Sequence, residues 1–409
     1  DIGSFLVVGN IQGVMNKGLN MILVVLVLAS TSVGGVSGGA LPSSKLSEEE
    51  IRMVGIGQID RSDFMIQKPN LASSIAMDRR AIRVDLKKDE VSREVALVSG
   101  ENEKREILFQ AATEVEIESA KVADRFRENQ NKWKSGWIES EEFVRDLMLI
   151  SADARALRDL LSHIEKESDR VQQMEFGGRI MTLNEELIPF EGPVKQYLHQ
   201  VVKGERDAGE VYIAVSERGL VLAAIRDGRY LREAHVWDQE SLSRGMSLSE
   251  AISRTAEIYP VAYDSEINQQ TGIMGKGRGY QVEIEFESGS IKAYLDGGTQ
   301  NVFYEVQERK IGLIDPKVEV EFVEEGKRVV VWRSFVGGPA KIEITDKDTG
   351  ESASAMVSMG NREKLIAKNG GWVLSPRDGV NTVVKIEGQS IDIQIDPIPM
   401  NEVENIKQD

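Results

Sequence analysis

The chain of 409 residues contains no cysteine. Disulfide bonds, thiol nucleophiles, a lipid-modified cysteine and cysteine-ligated metal sites are therefore excluded. The sequence also has no Asn-x-Ser/Thr motif, so N-glycosylation at that motif is not expected. The fold must be stabilised by packed cores alone.

Basic residues are in deficit, because 50 Lys and Arg oppose 67 Asp and Glu and leave a formal net charge of −17. A nucleic-acid binder needs a surplus of cations against phosphate, so the composition argues against nucleic acid as a partner. A hydrophobic fraction of 41% with 29% charged residues is typical of a globular chain. Beyond the first 40 or so residues, the length suits two or three domains.

The longest apolar run lies within residues 1–40. Lys17 precedes nine apolar residues, Met21–Ala29, and a stretch of small and polar residues follows up to Ala40. That order is typical of a secretory signal, with Met15 as the expected start; the alternative is a retained membrane anchor over Leu19–Val36. In both cases the body of the protein is predicted to lie outside the cytoplasm, secreted or anchored to the cell membrane.

Residues 41–190 are predicted to hold a mixed segment and then a helical hairpin over about 105–168. In the mixed segment, Ser47–Glu50 has the pattern of a capping box, Gly55–Phe64 is extended or loop-like, and a helix begins near Asn70–Ser74. Two apolar seams follow at helical spacing, on either side of a turn at Gly136. Their members are Leu108, Ala112, Val115, Ser119, Val122, Phe126 and Trp133, then Phe143, Leu147, Ile150, Ala154, Leu157, Leu161 and Ile164.

Two such helices predict an antiparallel hairpin in a monomer, and the alternative is an intermolecular coiled coil that forms a dimer. Gly177-Gly178 is predicted to end the helical run, and Thr182–Glu185 to cap a further helix.

Residues 191–310 are predicted to repeat one α+β unit, over 191–238 and 246–308. Each unit has a helix followed by strands, and Ser247 with Glu250 forms a capping box on the second helix. Asp227-Gly and Asp296-Gly are strong hairpin signals. Residues 316–397 then alternate apolar strands with turns about every ten residues, which predicts an immunoglobulin-like β-sandwich, and 398–409 form a polar tail.

The second unit resembles a PepSY module. The matching residues are Ala251, Ile252, Ala256, Tyr259, Pro260, Val282, Ile284 and the segment 294–302, where Asp296–Asn301 departs from the family's usual turn. Residues 338–351 look like the opening of a carboxypeptidase-regulatory-like or transthyretin-like sandwich.

Over about 50–395 the chain is similar to an uncharacterised family of exported archaeal surface proteins, and Gly136–Phe143, Gly192–Lys195 and Asp227–Ala234 add to that likeness. The resemblance implies a multidomain α+β fold: a helical hairpin, duplicated PepSY-like units and a C-terminal all-β sandwich. It brings no known catalytic residues, and it implies inhibitory or binding roles.

Few residues have the type and spacing that catalysis, metal binding or phosphate binding requires. His163, His199 and His235 have no ligand spacing, and His235 with Asp238 lacks the Gly-x-Ser-x-Gly elbow of a serine hydrolase. Gly272–Gly279 lacks phosphate-loop spacing and is predicted to be a flexible connection; the alternative is a mobile basic flap whose Lys276 and Arg278 contact an anionic or peptide partner. Asp346–Glu351 is predicted to be a hairpin turn rather than a calcium loop.

The sequence therefore predicts a non-catalytic envelope protein without cofactor or metal. Its partner would be an envelope protein or peptide, added as a strand to the edge of the PepSY-like sheet. Membrane association would run through Leu19–Val36. The alternative is an inhibitor or regulator of a secreted peptidase.

Overall fold

A computed structural model describes residues 25–26, 51–170, 177–241, 245–264, 268–276, 278–314 and 318–403. Helices occupy most of the N-terminal half and antiparallel sheets most of the C-terminal half, so the mixed α+β class is confirmed. The proposed capping box at Ser47–Glu50 lies outside the described residues. So does the predicted export segment, apart from Val25–Leu26.

Three long helices form one layer: α1 (Leu71–Leu97), α2 (Glu101–Lys134) and α3 (Ser140–Arg170). Helix α1 begins where the sequence predicted, because the Asn70 side chain accepts a hydrogen bond from the Ser73 N–H at 2.9 Å. The two predicted seams are the buried faces of α2 and α3, and at the turn between them Trp133 stacks on Phe143 with ring centroids 4.7 Å apart. Both α1 and α2 pack on α3, which is the most buried of the three.

Three shorter helices follow: α4 (Gly177–Leu187), α5 (Pro193–Val202) and α6 (Leu248–Ile258). The prediction that Gly177-Gly178 ends a helix was wrong, since the pair begins α4. The capping box at Thr182 was wrong for the same reason: Thr182 lies inside α4, and its hydroxyl donates to the Gly178 carbonyl at 3.1 Å. The capping box of Ser247 and Glu250 on α6 is confirmed.

Nine antiparallel strands form the central sheet. They are β1 (Val25–Leu26), β2 (Ile59–Gln67), β3 (Gly209–Ser216), β4 (Gly219–Arg226), β5 (Arg229–Val236), β6 (Asn268–Lys276), β7 (Gly279–Phe286), β8 (Gly289–Asp296) and β9 (Val302–Lys310). Their order in space is β1-β6-β7-β8-β9-β5-β4-β3-β2, so the two meanders meet where β5 pairs with β9. Most of Gly272–Gly279, predicted to be a flexible connection, lies instead in strands: Gly272–Lys276 belong to β6, which pairs with β7, and Gly279 begins β7.

The helices of the two units lie on opposite faces of this sheet. Val211, Ile213 and Val215 of β3 pack with α5 and the three long helices in one core. Tyr212 and Ala214, which point the other way because side chains alternate along a strand, pack with α6 in a second core. Each unit is a helix followed by antiparallel strands, three in the first and four in the second, and the two units differ in where their helices pack.

The C-terminal region is a sandwich of two four-stranded antiparallel sheets, β10-β11-β12-β15 and β14-β13-β16-β17. Its strands are β10 (Glu319–Glu324), β11 (Lys327–Trp332), β12 (Pro339–Asp346), β13 (Ala355–Met359), β14 (Arg362–Ile366), β15 (Gly371–Leu374), β16 (Asn381–Ile386) and β17 (Gln389–Gln394). Alternate apolar side chains of both sheets meet in one core, for example Val331 and Ile342 with Val357 and Val384. The apolar alternation had predicted strands only at Val318–Val323, Arg328–Trp332, Lys341–Ile344, Thr382–Ile386 and Ile391–Ile395. Strands β13, β14 and β15 were therefore missed.

The start of the predicted polar tail is held against the rest of the chain. Met53 N–H donates to the Asn401 carbonyl at 2.8 Å, and Val403 N–H donates to the Met53 carbonyl at 2.9 Å. No helix in the described ranges is both long enough and apolar enough to cross a bilayer.

Candidate functional site

A groove of about 780 Å³ runs between α1, α2 and α3. We call it the helical groove. Residues between Ala76 and Glu90 of α1 form one wall, and residues between Glu114 and Arg125 of α2 form the other. The floor is α3, because both other helices rest on it. At 1.5 Å per residue, the wall formed by α1 is about 21 Å long.

Apolar side chains line the bottom of the helical groove and stand at its mouth. At the bottom, Val84 of α1 and Val122 of α2 lie at the foot of the two walls, and Leu157 of α3 is on the floor. Leu86 of α1 lines the groove and is 65% exposed. Leu71, Ile75 and Ile82 continue an exposed apolar stripe along α1. A soluble domain seldom exposes such a contiguous set without a partner to cover it.

Charge in the helical groove is opposite in sign to that of the whole chain. Its lining has six cations, Arg79, Arg80, Arg83, Lys87, Lys121 and Arg125, against four anions, Glu90, Glu114, Glu118 and Asp153. Each anion forms an ion pair with a groove cation. Asp153 of α3 bridges the two walls, since its carboxylate is 2.5 Å from Arg80 Nε and 2.5 Å from Arg125 Nη1.

A second bridge crosses between the walls at Lys87, whose Nζ lies 2.8 Å from Glu114 and 3.1 Å from Glu90. Burial would lower the pKa of Lys87, but its hydrogen bonds to the two carboxylates outweigh that effect and raise the pKa. Lys87 is therefore fully charged at neutral pH. The bridges hold the walls in place and leave Arg79 and Arg83 exposed, with no ion pair among the described residues.

A contrasting set of ionic side chains is buried where β5 pairs with β9, which we call the β5–β9 seam. On the face toward the long helices, the Glu233 carboxylate accepts hydrogen bonds from Lys195 Nζ at 2.8 Å, the Lys195 backbone N–H at 2.9 Å and Tyr304 Oη at 2.9 Å. Both Glu233 and Lys195 are 1% exposed. Glu233 thus binds the first turn of α5, where unpaired N–H groups and the helix dipole favour a negative charge.

On the opposite face of the β5–β9 seam, Glu305 is equally enclosed. Its carboxylate accepts hydrogen bonds from Arg232 at 3.0 Å, Tyr259 Oη at 2.5 Å, the Val54 N–H at 3.2 Å and Gln307 at 3.2 Å. Arg232 also donates to the Val54 carbonyl at 2.6 Å. These bonds fasten the segment around Val54 and the end of α6 to the sheet.

Burial dominates the electrostatics of the β5–β9 seam. It raises the pKa of Glu305, against the lowering effect of Arg232, and it raises the pKa of Tyr259 and of Tyr304 well above the usual tyrosine range. Both tyrosines therefore remain protonated and act as hydrogen-bond donors. With their polar atoms engaged inside the protein, these groups join elements of the fold rather than face a ligand.

The three histidines lie in different settings. His163 is half-buried between α1 and α3, with Nε2 2.8 Å from Ser92 Oγ. His199 is on the buried face of α5, where burial and the charges of Arg155 and Lys203 lower its pKa to about 3. His235 is buried in the β5–β9 seam with Nε2 2.7 Å from Glu240, and its ring stacks on Phe126 at 5.7 Å. The sequence predicted surface or core-edge positions for all three histidines, and that was wrong for His199 and His235, which are buried.

Lys276 and Arg278, the predicted partner-contact residues, flank the turn between β6 and β7. The Arg278 backbone N–H donates to Glu185 of α4 at 2.7 Å, and its guanidinium lies 3.7 Å from Glu186. Burial raises the pKa of both glutamates, and Arg278 partly offsets that effect. Arg278 is thus engaged within the chain, whereas the side chain of Lys276 is outside the described part; partner contact there stays a prediction.

The turn predicted at Asp346–Glu351 is confirmed. The Asp346 carboxylate accepts hydrogen bonds from the N–H groups of Thr349 and Asp348, which lower the pKa of Asp346 to about 2. Across the described ranges, no group of three or more His, Asp or Glu side chains is placed to hold a metal ion.

The helical groove was not predicted, because the sequence patterns had indicated only where α1 begins and not how far it extends. A signal was present: Leu71, Ile75, Ile82 and Leu86 recur at helical spacing. That spacing identifies an apolar stripe but does not say whether it is covered.

Comparison with known protein families gives two matches. Residues 15–207 match a domain of unknown function, DUF7096, and residues 211–315 match a family of unknown function, DUF7094. Comparisons with curated proteins and with solved structures give no match. The helical groove lies wholly within the first matched region, and the β5–β9 seam joins the two, since Lys195 belongs to the first and Glu233 and Tyr304 to the second. The division between the matches falls between α5 and β3, inside the unit predicted over 191–238.

Proposed function

We propose that this protein is a non-catalytic binding protein of the cell envelope, and that its helical groove receives a segment of another envelope protein. One observation carries the proposal: the exposed apolar side chain of Leu86 stands at the mouth of an open groove of peptide size whose bottom is apolar. The predicted export segment supports the location. The PepSY-like and immunoglobulin-like interpretations of the sheet and sandwich agree with a binding or structural role.

The rest of the fold supplies a rigid support for the helical groove. The sandwich packs against the sheet on the side away from the long helices, where Phe335 and Leu374 join the core of α6. Arg377 donates to the Ser62 carbonyl of β2 at 3.0 Å, and Arg362 pairs with Glu210 of β3. The helical layer is thereby left free on its outer surface to meet a partner.

Site-specific photocrosslinking in the native cells tests this function. A benzophenone amino acid replaces Leu86 in one variant and Lys121, an exposed lining residue of the α2 wall, in another. The matched control replaces Leu365, a 66% exposed apolar residue of the sandwich. We expect the same adduct at both groove positions and not at Leu365, with mass spectrometry identifying the partner. Equal labelling at all three positions, or none, would overturn the proposal.

The second candidate, a regulator of a secreted peptidase, is favoured by the edge of the sheet. Within the described ranges, the outer side of β6 is paired only at Gly272 and Ile273, by Val25–Leu26. An open edge accepts an extended peptide as an added strand. Dose-dependent inhibition of envelope peptidases by the purified protein would favour this function over the first. Hydrolysis of generic peptide or ester substrates by the protein itself would contradict both candidate functions.

A further inference from the structure

The charges of the helical groove specify what kind of segment it accepts. All four groove anions are neutralised by groove cations, whereas Arg79 and Arg83 have no ion pair among the described residues. The two arginines lie one turn apart on α1, about 6 Å along its axis, and like charges at that spacing repel each other. An acidic partner would relieve this repulsion.

The backbone chemistry of the groove favours a helical partner over an extended one. The walls and floor are helices, whose N–H and C=O groups are bonded within each helix and offer nothing to a strand. An extended peptide would lose water from its own backbone over Val84, Val122 and Leu157 without gaining hydrogen bonds. A helix satisfies its own backbone and buries one apolar stripe, which is the helix-in-groove mode of recognition.

We infer that the helical groove binds an amphipathic helix that carries two carboxylates one turn apart. The inference rests on the binding function proposed above and names the partner's chemistry. The apolar stripe of that helix lies on the groove floor and against Leu86. Its carboxylates face Arg79 and Arg83 at matching spacing, since both helices repeat every turn. A wall of about 21 Å accommodates roughly four turns.

Peptide binding to the full chain tests the inference. Two fluorescent peptides of about 16 residues share one apolar stripe and are locked as helices by a side-chain bridge; one presents a Glu pair at i and i+4, the other a Lys pair. Fluorescence anisotropy should show the Glu peptide binding about tenfold more tightly at low salt, with the difference shrinking as salt is added.

Charge reversal in the protein makes the test specific to the site. In Arg79→Glu/Arg83→Glu, the preference should invert towards the Lys peptide. The matched control, Arg93→Glu/Arg127→Glu, changes two exposed arginines of α1 and α2 that do not line the groove, and it should keep the preference for the Glu peptide. Circular dichroism of both variants verifies that the helices are retained.

The possible failures are distinguishable. If the peptides bind equally, or neither binds, while crosslinking at Leu86 and Lys121 still captures a partner, the acidic-helix inference is wrong and the groove function stands. If the adduct proves to be a second copy of this chain, the groove is a self-association surface and the inference is again overturned. Loss of crosslinking together with loss of peptide binding removes both proposals.

Discussion

The helical groove and the β5–β9 seam both gather ionic side chains, but they do so under opposite conditions. In the seam, Lys195 and Glu233 are almost fully buried and each has several hydrogen-bond partners. In the groove, the ion pairs are partly exposed and two arginines have no counter-ion among the described residues. A charged side chain that is buried away from solvent must be paired or hydrogen-bonded within the protein, whereas a charged side chain at an open groove remains available to a partner.

This contrast predicts that stability depends on the seam and binding on the groove. The groove lies on helices that rest on one side of the sheet, and the seam joins both sides of that sheet to the segments around it. Substitutions chosen in pairs, one from each region, should separate the two properties.

The largest effect is expected for Lys195→Ala in the seam. The change leaves the Glu233 carboxylate buried without its counter-ion, which should lower the free energy of unfolding by about 3–5 kcal/mol. Urea denaturation followed by circular dichroism measures it. Lys121→Ala, in a groove pair more than half exposed on each side, is the matched control and should leave stability unchanged.

The companion double variant Lys195→Met/Glu233→Gln removes both charges and keeps an acceptor for the α5 backbone. It should recover most of the lost stability. A double variant as unstable as the single one would show that the ion pair itself, rather than burial of an unpaired charge, stabilises the seam.

Gly192→Ala should be the next most damaging change. A Cβ at this position would lie 1.7 Å from Glu233 Oε2 and 2.4 Å from Tyr304 Oη, so the buried carboxylate would have to move. We expect a loss of about 1–3 kcal/mol by thermal or urea unfolding. Gly178→Ala, where a Cβ would meet nothing within 4 Å, is the control and should not destabilise the protein. Equal stability of the two variants would contradict the close packing at Gly192.

His199 should make stability fall in acid. Its folded pKa of about 3 lies below the unfolded value of 6.5, so the unfolded chain binds a proton first as the pH drops. Neutral His199 makes its full contribution to the free energy of unfolding above pH 6.5. That contribution is lost progressively towards pH 3, and about 2 kcal/mol of it is lost by pH 5. Between pH 7 and 5, wild type should lose that much more stability than His199→Gln. Parallel pH profiles for the two proteins would refute the shift.

The smallest effect is expected for Arg79→Ala/Arg83→Ala in the groove. Removing two like charges at i and i+4 on α1 relieves repulsion, and Ala favours helix, so the free energy of unfolding should rise by a few tenths of a kcal/mol. The same variant should lose the preference for the Glu peptide. A clear loss of stability would show that these arginines have structural partners and would remove the contrast between groove and seam.

Much of the local structure followed from the sequence. We predicted from the sequence the buried faces of α2 and α3, the start of α1 at Asn70 and the capping box of α6. This was possible because helix periodicity and capping depend on residues within a few positions of each other. The turns at Asp227-Gly228 and Asp346–Glu351 followed in the same way. The strand β6 was missed because Gly272, Gly275 and Gly279 are typical of a loop, and only pairing with β7 makes that segment a strand.

The sequence by itself determined the absence of disulfides, the acidic composition, the apolar N-terminal run and the buried faces of α2 and α3. Tertiary structure decided that α5 and α6 lie on opposite faces of the sheet, that Lys195, Glu233 and Tyr304 meet in one buried cluster, and that α1 and α2 stand apart on α3. The reason is physical: periodicity and turns are set by neighbours in the chain, whereas the seam joins residues as far apart as Val54 and Glu305. Such a contact depends on strand register and on how layers pack, and no local pattern encodes either one.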